Sequence, residues 1–203
     1  MAAEKLSFPS NWISFFRVPF SRENTLTLFL VTAFPINFWA IIDWFRNIGS
    51  IAEENGLWYA IGVGAYMLSF ALMESVVIFL AILFLSMLVP KKWGQEKSLA
   101  QVSALYLALA IGLLLEQSRA LVEFPREGFI WRSVNLINNI LTSSPALAGL
   151  IAAALAVASI LAIHRSDRVR RAVILSIEKI ALLSAIYLVL DLAAIVVVII
   201  RNL

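Results

Sequence analysis

The sequence predicts an all-α protein: a polytopic bundle of five transmembrane helices, with an N-terminal interfacial segment and an outer amphipathic helix. Three observations carry this. Of 203 residues, 62% are hydrophobic and only 14% charged, with a mean hydropathy of +0.91, whereas a soluble domain is about half apolar and about a quarter charged. The apolar residues fall into five runs near or above the about 20 residues that cross about 30 Å of hydrocarbon. Lys and Arg divide unequally between the two sides that these runs define. One domain of this length cannot hide so much apolar surface from water. A soluble globule, a disordered chain and a nucleic-acid-binding module are excluded on that ground.

Residues 1–24 form the interfacial segment. Trp12, Phe15, Phe16 and Phe20 recur at helical spacing beside Arg17 and Arg22, the pattern of an aromatic foot lying in the plane of a leaflet. Residues 25–203 form the bundle. The runs are Thr25 to Phe45, Leu57 to Val89, Leu99 to Glu116, Pro145 to Ile163 and Ala172 to Ile200, with spans expected at about 25–45, 65–89, 99–118, 145–163 and 172–200. Pro35 lies inside the first run and predicts a kink, tolerated only where neighbours re-satisfy the freed carbonyl. The second run is too long for a perpendicular span. Either residues 57–64, with Gly62 and Gly64, lie at the outer interface, or one tilted helix takes the whole run. Pro90 ends it. Ser98 with Gln101 has the spacing of a capping box at the start of the third run, and Ser144–Pro145 places a cap before a first-turn proline at the start of the fourth. Between the third and fourth runs, residues 129–141 put Ile130, Val134, Ile137 and Leu141 on one face and Asn135, Asn138 and Asn139 on the other, which reads as an amphipathic helix over the outer surface.

Ten basic residues fall on one side of the spans: Lys5, Arg17, Arg22, Lys91, Lys92, Lys97, Arg165, Arg168, Arg170 and Arg171. Five fall on the other: Arg46, Arg119, Arg126, Arg132 and Arg201. The positive-inside rule then sets a cytoplasmic N-terminus and an outward C-terminus, in a cytoplasmic membrane. Trp12 and Trp93 fall at the inner interface and Trp39, Trp44, Trp58 and Trp131 toward the outer one, as two aromatic belts would.

Ionisable groups within spans are costly and mark candidate sites. Glu74 lies in the second run, Glu116 and Arg119 at the end of the third, Asp43 at the end of the first and Asp191 well inside the fifth. Glu116, Arg119 and Glu123 share a helix face by spacing, as do Asp43 and Arg46, and as do Ser184, Tyr187 and Asp191. Tyr187 is therefore placed to donate to Asp191. Glu74 has no basic residue within helical reach, so either its partner comes from another span, with Arg119 the candidate, or the group is protonated. Glu74, Glu116, Arg119, Tyr187 and Asp191 form the candidate polar pocket, open to the outside between the second, third and fifth spans. Glu178 and Lys179, about 100° apart on a helix, are poor mutual partners. His164 is expected to be solvated or lipid-facing beside an Arg-rich loop. In the fourth run Ala148, Gly149, Ala152, Ala153 and Ala156 offer small residues at a spacing of four, a helix-packing seam.

There is no cysteine and one histidine, so thiolate chemistry, iron–sulfur clusters and multi-histidine metal or haem sites lack their ligands. Catalytic, cofactor-binding and metal residues are not assigned, and no cofactor is expected. The chain shows no nucleotide-binding loop, nucleophile elbow or metalloprotease motif. Three readings follow: a non-catalytic membrane subunit or scaffold packed against another membrane protein or a second copy; a transporter or channel-like protein moving protons, ions or a small solute; and an intramembrane lipid-modifying enzyme. The bilayer is a partner in all three, and nucleic acid in none. The charge asymmetry makes a direct prediction in this cysteine-free chain: a cysteine introduced at Ser98 or Ser166 labels only from the cytoplasmic side, and one at Ser50 only from outside. Labelling of position 166 from outside intact cells would reverse the orientation.

Overall fold

A computed structural model describes residues 20–87, 93–117 and 145–203; the side chains of 115, 116 and 145–148 lie outside that description. The described residues are helical, with no strand among them: α1 (Arg22–Asn55), α2 (Leu57–Ser86), α3 (Gln95–Gln117), α4 (Pro145–Arg165) and α5 (Asp167–Asn202). Four of these, α1, α2, α3 and α5, are long and apolar enough to cross a membrane, and α4 carries a shorter apolar stretch. The predicted foot at 8–20, apart from Phe20, and the amphipathic helix at 129–141 lie outside the described residues.

Four of the five elements, α1, α3, α4 and α5, run longer than their apolar runs. The first run was expected to end at Phe45, but α1 continues to Asn55 and Gly56 alone links it to α2. Gly56 has φ 88, a left-handed conformation that side chains resist and glycine adopts freely. Residues 57–64 belong to the single helix α2 rather than to a separate interfacial piece. Ser166 alone links α4 to α5, capping α5 by accepting from the Val169 amide, 3.4 Å. Arg168, Arg170 and Arg171 therefore sit on the opening turns of α5 rather than in a loop. Asp167 favours the positive end of this helix and pairs with Arg170 at 3.0 Å.

Two terminal assignments change. Ser98 does not cap α3: the helix begins at Gln95, and the Ser98 amide donates to the Gly94 carbonyl as an interior residue does, 3.0 Å. Local spacing fitted a box, but the polar residues before Ser98 were able to continue the helix. Ser98 is also buried, so position 166 is the informative label on that side. Phe20 belongs to the core rather than to an in-plane foot. It is buried with Leu28, Ile82 and Leu99 where α1, α2 and α3 meet. Ser21 caps α1 by accepting from the Asn24 amide, 3.2 Å, while Gln95 of α3 accepts from the Ser21 amide, 3.3 Å.

The bundle is an up-down array in which α1 packs against α2, α3 and α5, and α4 packs chiefly on α3. A second core cluster, Val31, Ile177 and Ala181, joins α1 to α5. At one end Lys97, Trp93 and His164 meet. Lys97 Nζ donates to His164 Nδ1 at 2.9 Å and lies 5.3 Å from the Trp93 ring, so His164 is exposed, as expected, but partnered. At the Gly56 end, Trp44 Nε1 donates to the Ala60 carbonyl, 3.0 Å. Arg201 donates to the Tyr59 carbonyl, 3.2 Å, and covers the Tyr59 ring. Trp44 therefore works inside the hairpin rather than in a belt, whereas Trp58 is exposed.

The glycines of α2 receive these groups. A Cβ on Gly64 would stand 2.5 Å from the Trp44 indole, and one on Gly62 would overlap the Arg201 guanidinium. The expected seam on α4 divides. Ala152 and Ala156 are buried, but Ala153 and Gly149 are exposed, and a Cβ on Gly149 would meet nothing within 4 Å. A spacing of four repeats on two faces at once, and only one of them meets the bundle; the side chain of Ala148 lies outside the described residues. Gly64→Leu should therefore lower stability by about 1–3 kcal/mol through overpacking against a rigid ring, while Gly149→Leu leaves it unchanged. Thermal unfolding of the two purified variants in detergent checks the contrast; equal losses would mean that another helix covers the Gly149 face.

Candidate functional site

Two polar sites arise from the helix faces. The first is a cleft of about 740 Å³ between α1, α2 and α3. Each helix contributes a stripe at helical spacing: Pro35, Trp39 and Asp43 from α1; Met67, Ala71, Glu74 and Ile78 from α2; Tyr106, Leu109, Leu113 and Gln117 from α3. Ala40, Ala71 and Ala110 face the same space, and small side chains on all three walls leave room where larger ones would close it. The buried cluster of Leu28, Ile82 and Leu99, with Tyr106 against it, closes the end remote from Gly56.

Glu74 is exposed in this cleft. It stands 17 residues from the start of α2 and 12 from its end, about 25 Å and about 18 Å at 1.5 Å per residue, so neither helix terminus brings it to a surface. Tyr106 lies near enough to interact with it electrostatically. The Tyr106 hydroxyl donates to the Thr32 carbonyl of α1, 2.7 Å. The carbonyl that Pro35 leaves without its helical donor is that of Val31, four residues back; Tyr106 donates to the next carbonyl along, that of Thr32, in the same turn. Asp43, at the cleft's Gly56 end, accepts from Asn47 Nδ2 at 3.2 Å. None of the described residues lining the cleft is basic.

The second site surrounds Asp191. This residue is fully buried, and both its carboxyl oxygens are without a hydrogen-bond partner. Asn37 of α1 faces it but does not close to hydrogen-bonding geometry: the Asn37 amide nitrogen donates to the Ala33 carbonyl, 3.3 Å, and its oxygen is unpartnered. Ser184 shares the stripe, buried and unpartnered. Tyr187 does not donate to Asp191 as its i, i+4 spacing led us to expect. Its ring stacks on Phe34 at 5.9 Å, and packing between α1 and α5 fixes the ring there.

The five candidate residues thus do not form one pocket among the described side chains. Glu74 lines the cleft; Asp191 does not, and Tyr187 stays beside Phe34. Arg119 lies outside the described residues, as does the side chain of Glu116. The cleft walls are α1, α2 and α3, not the second, third and fifth spans. Sequence reasoning missed Trp39, Tyr66 and Tyr106 as cleft residues. Their signal was present in the 3–4 spacing with Asp43, Glu74 and Gln117 along each helix. Among the described residues no three His, Asp or Glu side chains gather as metal ligands would.

Comparison of the chain with protein-family models, with curated proteins and with solved structures finds no match.

A buried carboxyl group without partners costs a few kcal/mol. Asp191→Asn keeps the shape and restores a donor that can serve the Asn37 oxygen. It should raise the thermal unfolding midpoint in detergent, by about 1 kcal/mol or more in stability. Tyr106→Phe should lower it by about 1 kcal/mol through loss of the bond to Thr32. A destabilised Asp191→Asn would mean that the carboxylate makes a contact that the amide cannot.

Proposed function

We propose that this protein is a five-span integral membrane protein, with its N-terminus cytoplasmic and α4 as the remaining span, that takes a small solute into the cleft between α1, α2 and α3. Its class is that of a transporter or channel-like protein. The apolar side chains exposed along α2 and α5, from Phe70 to Leu85 and from Leu182 to Ile200, form a surface larger than water tolerates on a soluble monomer. At about 51, 45 and 54 Å, helices α1, α2 and α5 exceed the hydrocarbon thickness and reach the headgroups or tilt. The observation that carries the solute reading is the cleft itself. Its volume is that of small-molecule sites, and it holds a carboxylate midway along an apolar helix, where such a group is expensive without a role. The cleft is largely apolar, which favours a solute with an apolar body over a bare proton or hydrated ion.

A second reading, a non-catalytic subunit or scaffold, is favoured by the small-residue face of α4 at Gly149 and Ala153, which no described residue covers and which would let another helix approach closely. No observation favours the lipid-modifying enzyme, because Glu74 and Asp191 do not share a site that could work as an acid–base pair.

Uptake of radiolabelled neutral, cationic and anionic amphiphiles into proteoliposomes tests the solute reading. At least one should accumulate with the wild-type protein, and Ala110→Trp, which fills the cleft, should abolish its uptake. If none is taken up and native mass spectrometry shows a stoichiometric membrane partner or second copy that Gly149→Leu releases, the subunit reading replaces it.

A further inference from the structure

The chemistry lining the cleft selects among solutes. Glu74 places a carboxyl group midway along the apolar helix α2, Asp43 adds a second at the cleft's Gly56 end, and none of the described lining residues is a cation. Four aromatic rings share that lining: Trp39 of α1, Tyr66 and Phe70 of α2, and Tyr106 of α3. Aromatic faces attract cations, most strongly where water is excluded, and surround ammonium groups in many binding sites. A carboxylate set among aromatic rings is complementary to an organic cation and repels an anion. A divalent metal ion fits poorly, because Ca²⁺ and Mg²⁺ demand about six oxygen ligands, and the described lining offers two carboxylates, Asp43 and Glu74, with no third His, Asp or Glu gathered beside them. Beyond the charged group, Leu109 and Leu113 of α3 and Met67 of α2 continue the cleft as an apolar wall.

We propose that the cleft binds a lipophilic monocation, an alkylammonium amphiphile, with its charged end between Glu74 and the rings of Trp39 and Tyr106 and its chain along the apolar walls. The proposal rests on the solute reading above and names the class of that solute. Glu74 supplies the charge that distinguishes an ammonium from a neutral chain of the same length. The rings contribute to both, but more to the cation. Ala71 and Ala110 leave the width that the chain occupies.

The test uses the full-length protein in phosphatidylglycerol nanodiscs, which carry no ammonium headgroup, with radiolabelled dodecyltrimethylammonium as the probe and empty discs as the blank. Binding should be saturable at one molecule per chain and should resist competition by 1-dodecanol. Glu74→Gln keeps the shape and removes the charge; it should weaken binding at least tenfold. Trp39→Leu should weaken it about threefold to thirtyfold, and Glu74→Asp should retain most of it. Glu74 is exposed, so its variants should keep the wild-type thermal midpoint. Wild-type affinity in Glu74→Gln, or equal competition by 1-dodecanol, would overturn the proposal while leaving a cleft that accepts uncharged chains. Absence of saturable binding by any amphiphile, charged or neutral, would overturn both the proposal and the solute reading.

Discussion

The hydrogen bond from the Tyr106 hydroxyl to the Thr32 carbonyl is the interaction on which the interior depends. Proline at position 35 removes a donor from α1, and Thr32 lies in the turn that the proline interrupts. By donating to Thr32, α3 is held against α1, on which α2 also packs. Three helices then enclose a space that none of them fills. The small residues Ala40, Ala71 and Ala110 keep it open, and the cluster of Phe20, Leu28, Ile82 and Leu99 seals one end. Position 74 acquires its meaning from this arrangement, because the same glutamate on a helix packed all round would have no room for a counter-charge.

The opposite end is organised by a different rule. Glycines at positions 62 and 64 remove side chains from α2 where α1 and α5 bring large groups against it. The Trp44 indole and the Arg201 guanidinium occupy the two notches, and each donates to a carbonyl of α2. Backbone approach through small residues is how helices associate when no water is left to expel. Here the mates of the small residues are an indole and a guanidinium, so the contact gains hydrogen bonds as well as proximity.

Much of this was legible in the sequence. The all-helical class follows from composition, and the order of the long helices follows from the five apolar runs. Glu74 and Asp191 stood out because charge is rare in such runs. What could not be read was which face of each helix meets which neighbour. Tyr187 and Asp191 share a stripe, yet the ring turns to Phe34 because α1 lies beside it. Gly149 and Ala152 both belong to small-residue repeats, yet one faces out and the other in. Trp39 and Trp44 looked like interfacial anchors because only their position along the chain was visible, not their azimuth. Helix ends were misplaced for a related reason: apolar runs mark what is hidden from water, whereas helices continue through polar residues such as Gln95, Arg168 and Asn47 for as long as their backbone bonds are made.

The single-residue link at Gly56 bears on the order in which such a chain can assemble. Two helices of 34 and 30 residues meet through one glycine, so an extensive interface of the bundle is also close in sequence, and its loop-closure entropy is near the minimum a chain can have. Contacts of low sequence separation form early. The notch at Gly62 is different: its occupant arrives from a residue 139 positions later. The hairpin is thus a template completed from the far end of the sequence, and an intermediate lacking α5 would carry a ready-made but vacant guanidinium seat on its surface.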